Sequence, residues 1–153
     1  MPITLSILVY VASPLDFARY RHTALYFQFP AEETAPEPDL KSSLMEIVGS
    51  HGFFTFSERI NWDIPVHSTE LARIITLTLL PQKATIAEIP KLRATVASTP
   101  ILANGERDWN CQNWVGDALA RLVAAGYLDS AERNRGLDGM VDAVLEAKDE
   151  EIA

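Results

Sequence analysis

Two side chains in this sequence could together make and break a bond to a carbonyl carbon: the single cysteine, Cys111, and one of the three histidines, His22. Cys111 stands in the stretch RDWNCQNWVGDALARLVAAGYL, between Asn110 and Gln112, with Trp109 and Trp114 nearby. The thiolate is the nucleophilic form of cysteine, and its pKa falls at a helix N-terminus or beside an imidazole. A helical period beginning at Cys111 satisfies the first condition, and His22 would have to satisfy the second. A plainer reading stands beside this one. Free cysteine is among the residue types most often buried as a small apolar group, so position alone leaves both readings open.

Other chemistries find less support. His51 falls in an expected turn and His67 in an expected loop, no two histidines are four apart, and there is no second cysteine, so no metal site is expected. The seven glycines are scattered and none frames a serine in a G-x-S-x-G elbow. Neither a nucleotide or other cofactor nor a serine nucleophile is expected.

The elements that must position Cys111 and His22 can be read from residue periods. ITLSILVYVA, Ile3 to Ala12, is rich in β-branched residues and predicts a buried strand closed by a turn at Ser13-Pro14. RYRHTALYFQF, Arg19 to Phe29, predicts a second strand, with Thr23, Leu25, Phe27 and Phe29 on one face and His22, Ala24, Tyr26 and Gln28 on the other. Pro30 to Ser43 holds three prolines and several acids without an apolar period, which predicts an exposed loop of some mobility. Ser43 to Gly49 and Phe53 to Ile60 predict a hairpin, and Glu70 to Leu80 a further strand whose first half also suits a helix.

The period then changes. Ile86, Ile89, Leu92 and Val96 are spaced for a helix, with Pro90 as a break. The next helix, about Cys111 to Ala125, puts Cys111, Val115, Ala118, Leu119, Leu122 and Val123 on one face and stops at Gly126. A last helix begins near Asp129 or Ser130, is weakened at Gly136 and Gly139, and ends in a solvated acidic tail, EAKDEEIA. Strands first and helices after, with no βαβ alternation, predict an α+β fold.

Composition narrows the setting. The 153 residues suit one domain with one core, and 48% apolar with 22% charged residues is ordinary for a globular chain. Thirteen Lys and Arg against 21 Asp and Glu give a net charge of -8, and no basic stripe is present to neutralise several phosphates, so nucleic acid is not an expected partner. No apolar run is long enough to cross a membrane. A lone cysteine cannot form an internal disulfide, and the first residues lack the flank and cleavage site of a signal peptide, so a cytoplasmic location is expected.

Taken together, RHTALYF on an early strand and NCQNWV opening a late helix resemble the circularly permuted papain-like proteins, the group of lecithin:retinol acyltransferase and small thiol peptidases. There the base histidine comes first, on a strand of the form H-x-A-hydrophobic-Y, and the cysteine follows at a helix start as N-C-x-x-aromatic-V. His22, Ala24, Leu25 and Tyr26 match the first pattern, and Asn110, Cys111, Trp114 and Val115 the second. The resemblance covers about Tyr20 to Ala125 and implies an antiparallel sheet of four to five strands packed on the Cys111 helix. It also implies a third residue, on the strand after His22, that orients the imidazole. In SLMEIVG only Glu46 suits that place; its alternative is an exposed strand position paired across the hairpin with Arg59.

On this reading the chain is a small thiol hydrolase or acyltransferase acting on an acyl, peptide or other small-molecule substrate through an acyl-thioester on Cys111. The oxyanion is expected to meet N–H groups at the helix start, with Gln112 or Asn113 assisting. Tyr26, Trp62, Trp109 and Trp114 could wall the substrate cleft or belong to the core. Two rivals keep the scaffold and change the function: a non-hydrolytic small-molecule binder, cyclase or isomerase, and an interaction module with a dead site. Substrate and oligomeric state are not readable from the residues.

Overall fold

The computed structural model of the chain describes residues 2–12, 16–50, 52–64, 70–102 and 109–147. His51, His67, the Ser13-Pro14 turn and most of the acidic tail lie outside the described residues. The architecture is α+β. Five strands, β1 (Thr4–Tyr10), β2 (His22–Gln28), β3 (Ser42–Val48), β4 (Thr55–Ile60) and β5 (Leu71–Leu77), form one antiparallel sheet in the order β4-β3-β2-β1-β5. Three helices follow: α1 (Ile89–Ala97), α2 (Cys111–Ala124) and α3 (Ser130–Leu145). None of the described helices is long and apolar enough to cross a membrane.

All three helices pack on one face of the sheet. Alternation along β2 sends Leu25 and Phe27 into that layer, where they meet Trp114, Val115, Leu119 and Leu122 of α2. Trp114 is fully buried, and cutting such a residue to alanine typically costs about 3–5 kcal/mol. The opposite face carries a smaller cluster of Leu8, Ala24, Tyr26 and Leu44, covered by Trp62 and Ile64. The sheet is thus sandwiched, with the helices on its heavier side.

Several local expectations are adjusted. Pro90 begins α1 instead of breaking it, because the first turn needs no N–H from it. Gly136 and Gly139 lie inside an unbroken α3, where a Cβ on Gly136 would come within 2.5 Å of Leu77 and one on Gly139 within 3.3 Å of Ile75. Their missing side chains let the helix settle on β5. The loop after β2 is pinned: Asn61, at φ 56, binds the Lys41 and Ser42 amides and the Asp39 carbonyl, while Arg93 holds Glu37. Leu71–Leu77 form an edge strand with no helical half.

One irregularity positions the site. β2 and β3 pair only from Leu25 and Met45 to Gln28 and Ser42, although β2 begins at His22 and β3 runs on to Val48. Over Glu46, Ile47 and Val48, β3 stays paired to β4 alone. The two central strands therefore part at this end, and the start of α2 lies over the opening.

Candidate active site

Cys111 is the first residue of α2, and the local sequence makes that start rigid. Asn110 caps the helix: its side chain accepts from the Gln112 and Asn113 amides, and Asn113 Oδ1 accepts from the Asn110 amide at 3.0 Å. The Asn110 carbonyl takes the Trp114 N–H. Of the first-turn donors, the Cys111 N–H is the one that Asn110 does not take.

His22 stands at the mouth of the opening between β2 and β3. Its Nε2–H donates to Glu46 Oε1 at 3.1 Å, and the ring lies near enough to the Cys111 thiol for each to shift the other's pKa, while the thiol itself donates to the Arg21 carbonyl at 3.9 Å. With Nε2 turned to Glu46, Nδ1 is the nitrogen left for sulfur. Cys111 belongs to the helix-side core, whereas Glu46 has the strand parity of Leu44 on the opposite face. Only where the strands separate can one imidazole reach both. Glu46 stands opposite Ser57 in the hairpin, while Arg59 stands opposite Leu44, so the expected alternative pairing is not the one formed.

The electrostatics of the pair follow from this placement. Burial alone would push the imidazole down, but hydrogen bonds to Cys111 and Glu46 outweigh it and raise His22 to about 9. Burial pushes the thiol up, yet the hydrogen bond and charge of His22, helped by the Thr23 amide, bring it below its ordinary value. Both shifts favour a thiolate facing an imidazolium. Tyr10, opposite His22 on β1, lays its ring 5.8 Å from the imidazole, and burial together with the Glu46 charge lifts its hydroxyl to about 12.

An open cleft of about 1200 Å³ leads to the sulfur, walled by Tyr20, Ile47, Val48, Phe54 and Trp109, with Arg19 at its rim. Gly49, which also lines the cleft, has φ 117, and a Cβ there would come within 2.8 Å of the Phe53 carbonyl. Cys111, His22, Glu46 and Trp109 therefore share one site. Trp109 packs edge-on against Phe54 at 6.1 Å.

The other expected assistants are placed elsewhere. Gln112 spends both amide hydrogens on the carbonyls of Ala18 and Arg21, at 3.0 and 3.1 Å. Asn113 is occupied in the cap. Tyr26 lies on the far face of the sheet, buried against Trp62, with its hydroxyl on the Trp62 carbonyl at 2.8 Å. Trp114 is core. Backbone groups take the side-chain polar atoms of Gln112, Asn113 and Tyr26, and packing takes Trp114. Conversely, Tyr10, Thr23, Arg19 and Phe54 belong to the site without having been singled out. Only Tyr10 left a trace in the sequence, as an aromatic near the end of the first strand.

Among the described residues no group of histidine, cysteine and carboxylates is arranged to hold a metal. No curated protein and no solved structure matches the chain. A profile for a family of unknown function, DUF6540, matches residues 9–129, and the chain belongs to that family.

Proposed function

We propose that the protein is a thiol hydrolase or acyltransferase on a permuted papain-like scaffold, with Cys111 as nucleophile, His22 as base and acid, and Glu46 orienting His22. The observation that carries this reading is the single imidazole held between the Cys111 thiol and the Glu46 carboxylate at the floor of an open cleft. A cysteine kept only for packing needs neither partner.

In the reaction the Cys111 thiolate attacks the acyl carbon, the S–C bond forms and the carbonyl π electrons move to oxygen. That oxyanion is met by the Cys111 N–H and the positive end of α2, and not by Gln112. Collapse restores the carbonyl and expels the leaving group, which takes the proton from His22. Water or an acceptor then attacks the thioester, giving its proton to His22, and the thiolate departs. Glu46 keeps Nε2–H engaged throughout, so Nδ1 stays directed at sulfur.

The test is the rate of Cys111 alkylation by iodoacetamide across pH, paired with turnover of an activated ester. The wild type should alkylate faster at pH 6 than a free model thiol, and Cys111→Ala and His22→Ala should each abolish ester turnover while remaining folded. Alkylation that follows an unperturbed thiol, with no turnover of any ester, would return Cys111 to the core.

A further inference from the structure

Arginines in this acidic protein are mostly neutralised. Arg21, Arg73, Arg93 and Arg135 each face a carboxylate, and Arg121 and Arg133 bind backbone carbonyls. Arg19 differs. It lines the cleft, is exposed, and among the described residues has no carboxylate partner; its guanidinium lies over the Tyr20 ring, 4.6 Å from the centroid, and donates to the Tyr20 hydroxyl.

The backbone that carries Arg19 is fixed relative to the sulfur. The Ala18–Tyr20 turn is tied to the start of α2 by three hydrogen bonds: Asn110 Nδ2 to the Arg19 carbonyl at 2.8 Å, and Gln112 Nε2 to the carbonyls of Ala18 and Arg21. The Arg21 carbonyl is itself 3.9 Å from Cys111 Sγ. Two residues span at most about 7 Å, so the Arg19 backbone is held within that distance of a residue touching the nucleophile. Beside this cation the cleft walls are apolar, from Val48, Phe54 and Trp109. Glu46, the one carboxylate lining the described cleft, is engaged by His22.

We infer that the cleft receives an acyl compound bearing a carboxylate, with Arg19 taking the carboxylate and the Val48–Phe54–Trp109 wall taking the apolar part. The inference rests on the thiol reading of the same site and names its substrate class. A guanidinium stacked on an aromatic ring keeps its remaining N–H fork directed outward, the geometry that pairs with a carboxylate through two bonds. In a chain of net charge -8, a cation with no carboxylate partner among the described residues, at the mouth of a reactive site, gives an anionic substrate a local attraction that the overall field lacks.

The test compares two maleimides on the full-length protein: 3-maleimidopropionate, with an anionic arm, and N-ethylmaleimide, with a neutral arm of similar length. At low ionic strength the ratio of their second-order rates at Cys111 should exceed that for a free thiol. Arg19→Ala and its milder companion Arg19→Gln should lower the ratio by about threefold to fivefold, the scale of one exposed ion pair, and Arg19→Lys by less. Half-molar salt should bring wild type and variants together. A ratio unmoved by both Arg19 variants at low salt overturns the carboxylate assignment, and leaves the thiol reading standing if both reagents still outpace a free thiol. If neither outpaces it, the thiol reading fails while the ratio still decides the role of Arg19. Failure of both reagents to reach Cys111 overturns both.

Discussion

His22 Nε2 and Glu46 Oε1 are 3.1 Å apart across the point where β2 and β3 cease to pair. Had the strands continued in register, Glu46 and His22 would both have stayed on the far face of the sheet, away from the helix that bears Cys111. The break in the ladder lets a strand histidine stand between the Glu46 carboxylate and the start of the helix that bears Cys111.

Glu46 is therefore expected to act through His22. Glu46→Gln keeps shape and an acceptor but removes the charge that favours the imidazolium, so the thiolate loses its counter-ion and the thiol pKa rises. Alkylation at pH 6 should slow by about tenfold to a hundredfold, the scale of losing an orienting partner. The acid limb of the pH profile should move upward by the same change, while a variant with slower reaction but an unmoved profile would assign Glu46 a merely structural role.

Stability should carry the signature of the pair. His22, raised from 6.5 to about 9, contributes stability that is complete below pH 6.5 and lost as pH climbs through about 9. Cys111, lowered, contributes stability that is present above the ordinary thiol value and lost as pH falls through its folded value. In the part of the interval between the unfolded imidazole and thiol values where the folded pair holds its proton on nitrogen and the unfolded pair holds its proton on sulfur, both states bind one proton and the slope vanishes. The difference in unfolding free energy between wild type and His22→Gln/Cys111→Ala should be level in that window and shrink on both sides. A steady slope through neutrality would mean that the neutral thiol and imidazole prevail.

Thr23 offers a sharper probe of the sulfur's surroundings. Its side chain is buried on the helix face, its amide and hydroxyl both help to lower the thiol's pKa, and the hydroxyl has no hydrogen-bond partner. Replacing an unpartnered buried hydroxyl with a methyl removes a desolvated polar group, so Thr23→Val should leave stability unchanged or raise it by up to about 1 kcal/mol. It should nevertheless slow alkylation on the acid side of the profile. A loss of stability with reactivity intact would reverse the assignment.

Much of this arrangement was legible in residue periods, and the reason for the rest is physical. The alternation Thr23, Leu25, Phe27 and the helical face from Cys111 to Leu122 are local patterns imposed by one buried side, and both appear in the core. The same alternation placed His22 with Tyr26, which drew Tyr26 toward the site. In the fold Trp62, from beyond β4, closes on Tyr26, and a contact of that range leaves no period. Nor does a register that stops short: residue types at Ala24 and Glu46 suit a paired ladder as well as a parted one. Gln112 was misplaced for a related reason, since its two carbonyl partners lie 94 and 91 residues away.

Asn110 serves two structures at once. It caps α2 through its side-chain oxygen and holds the Arg19 carbonyl through its side-chain nitrogen. Asn110→Ala should cost about 1–2 kcal/mol in chemical denaturation. Asn110→Asp keeps the cap, loses the donor to Arg19 and puts a negative charge beside the sulfur, so it should retain most of the stability but shift the thiol pKa upward. Equal losses of stability in both variants would mean that the bond to Arg19, and not the cap, is the larger part.

Gln112 separates positioning from oxyanion binding. A side chain that donates to the developing oxyanion matters for acyl transfer, where a tetrahedral oxygen appears, and is irrelevant to alkylation by iodoacetamide, where none does. Because both Gln112 amide hydrogens hold the turn that leads into His22, Gln112→Ala should slow alkylation and ester turnover by similar factors. It should also lower the unfolding midpoint, since two buried-side carbonyls lose their donor. Gln112→Glu, which sets a carboxylate against the same carbonyls, should be the more damaging of the two. If Gln112→Ala instead lowered ester turnover alone, with alkylation at the wild-type rate, its amide would have to leave the turn during the reaction and the Cys111 N–H would not be the sole side of the oxyanion site supplied by this helix start.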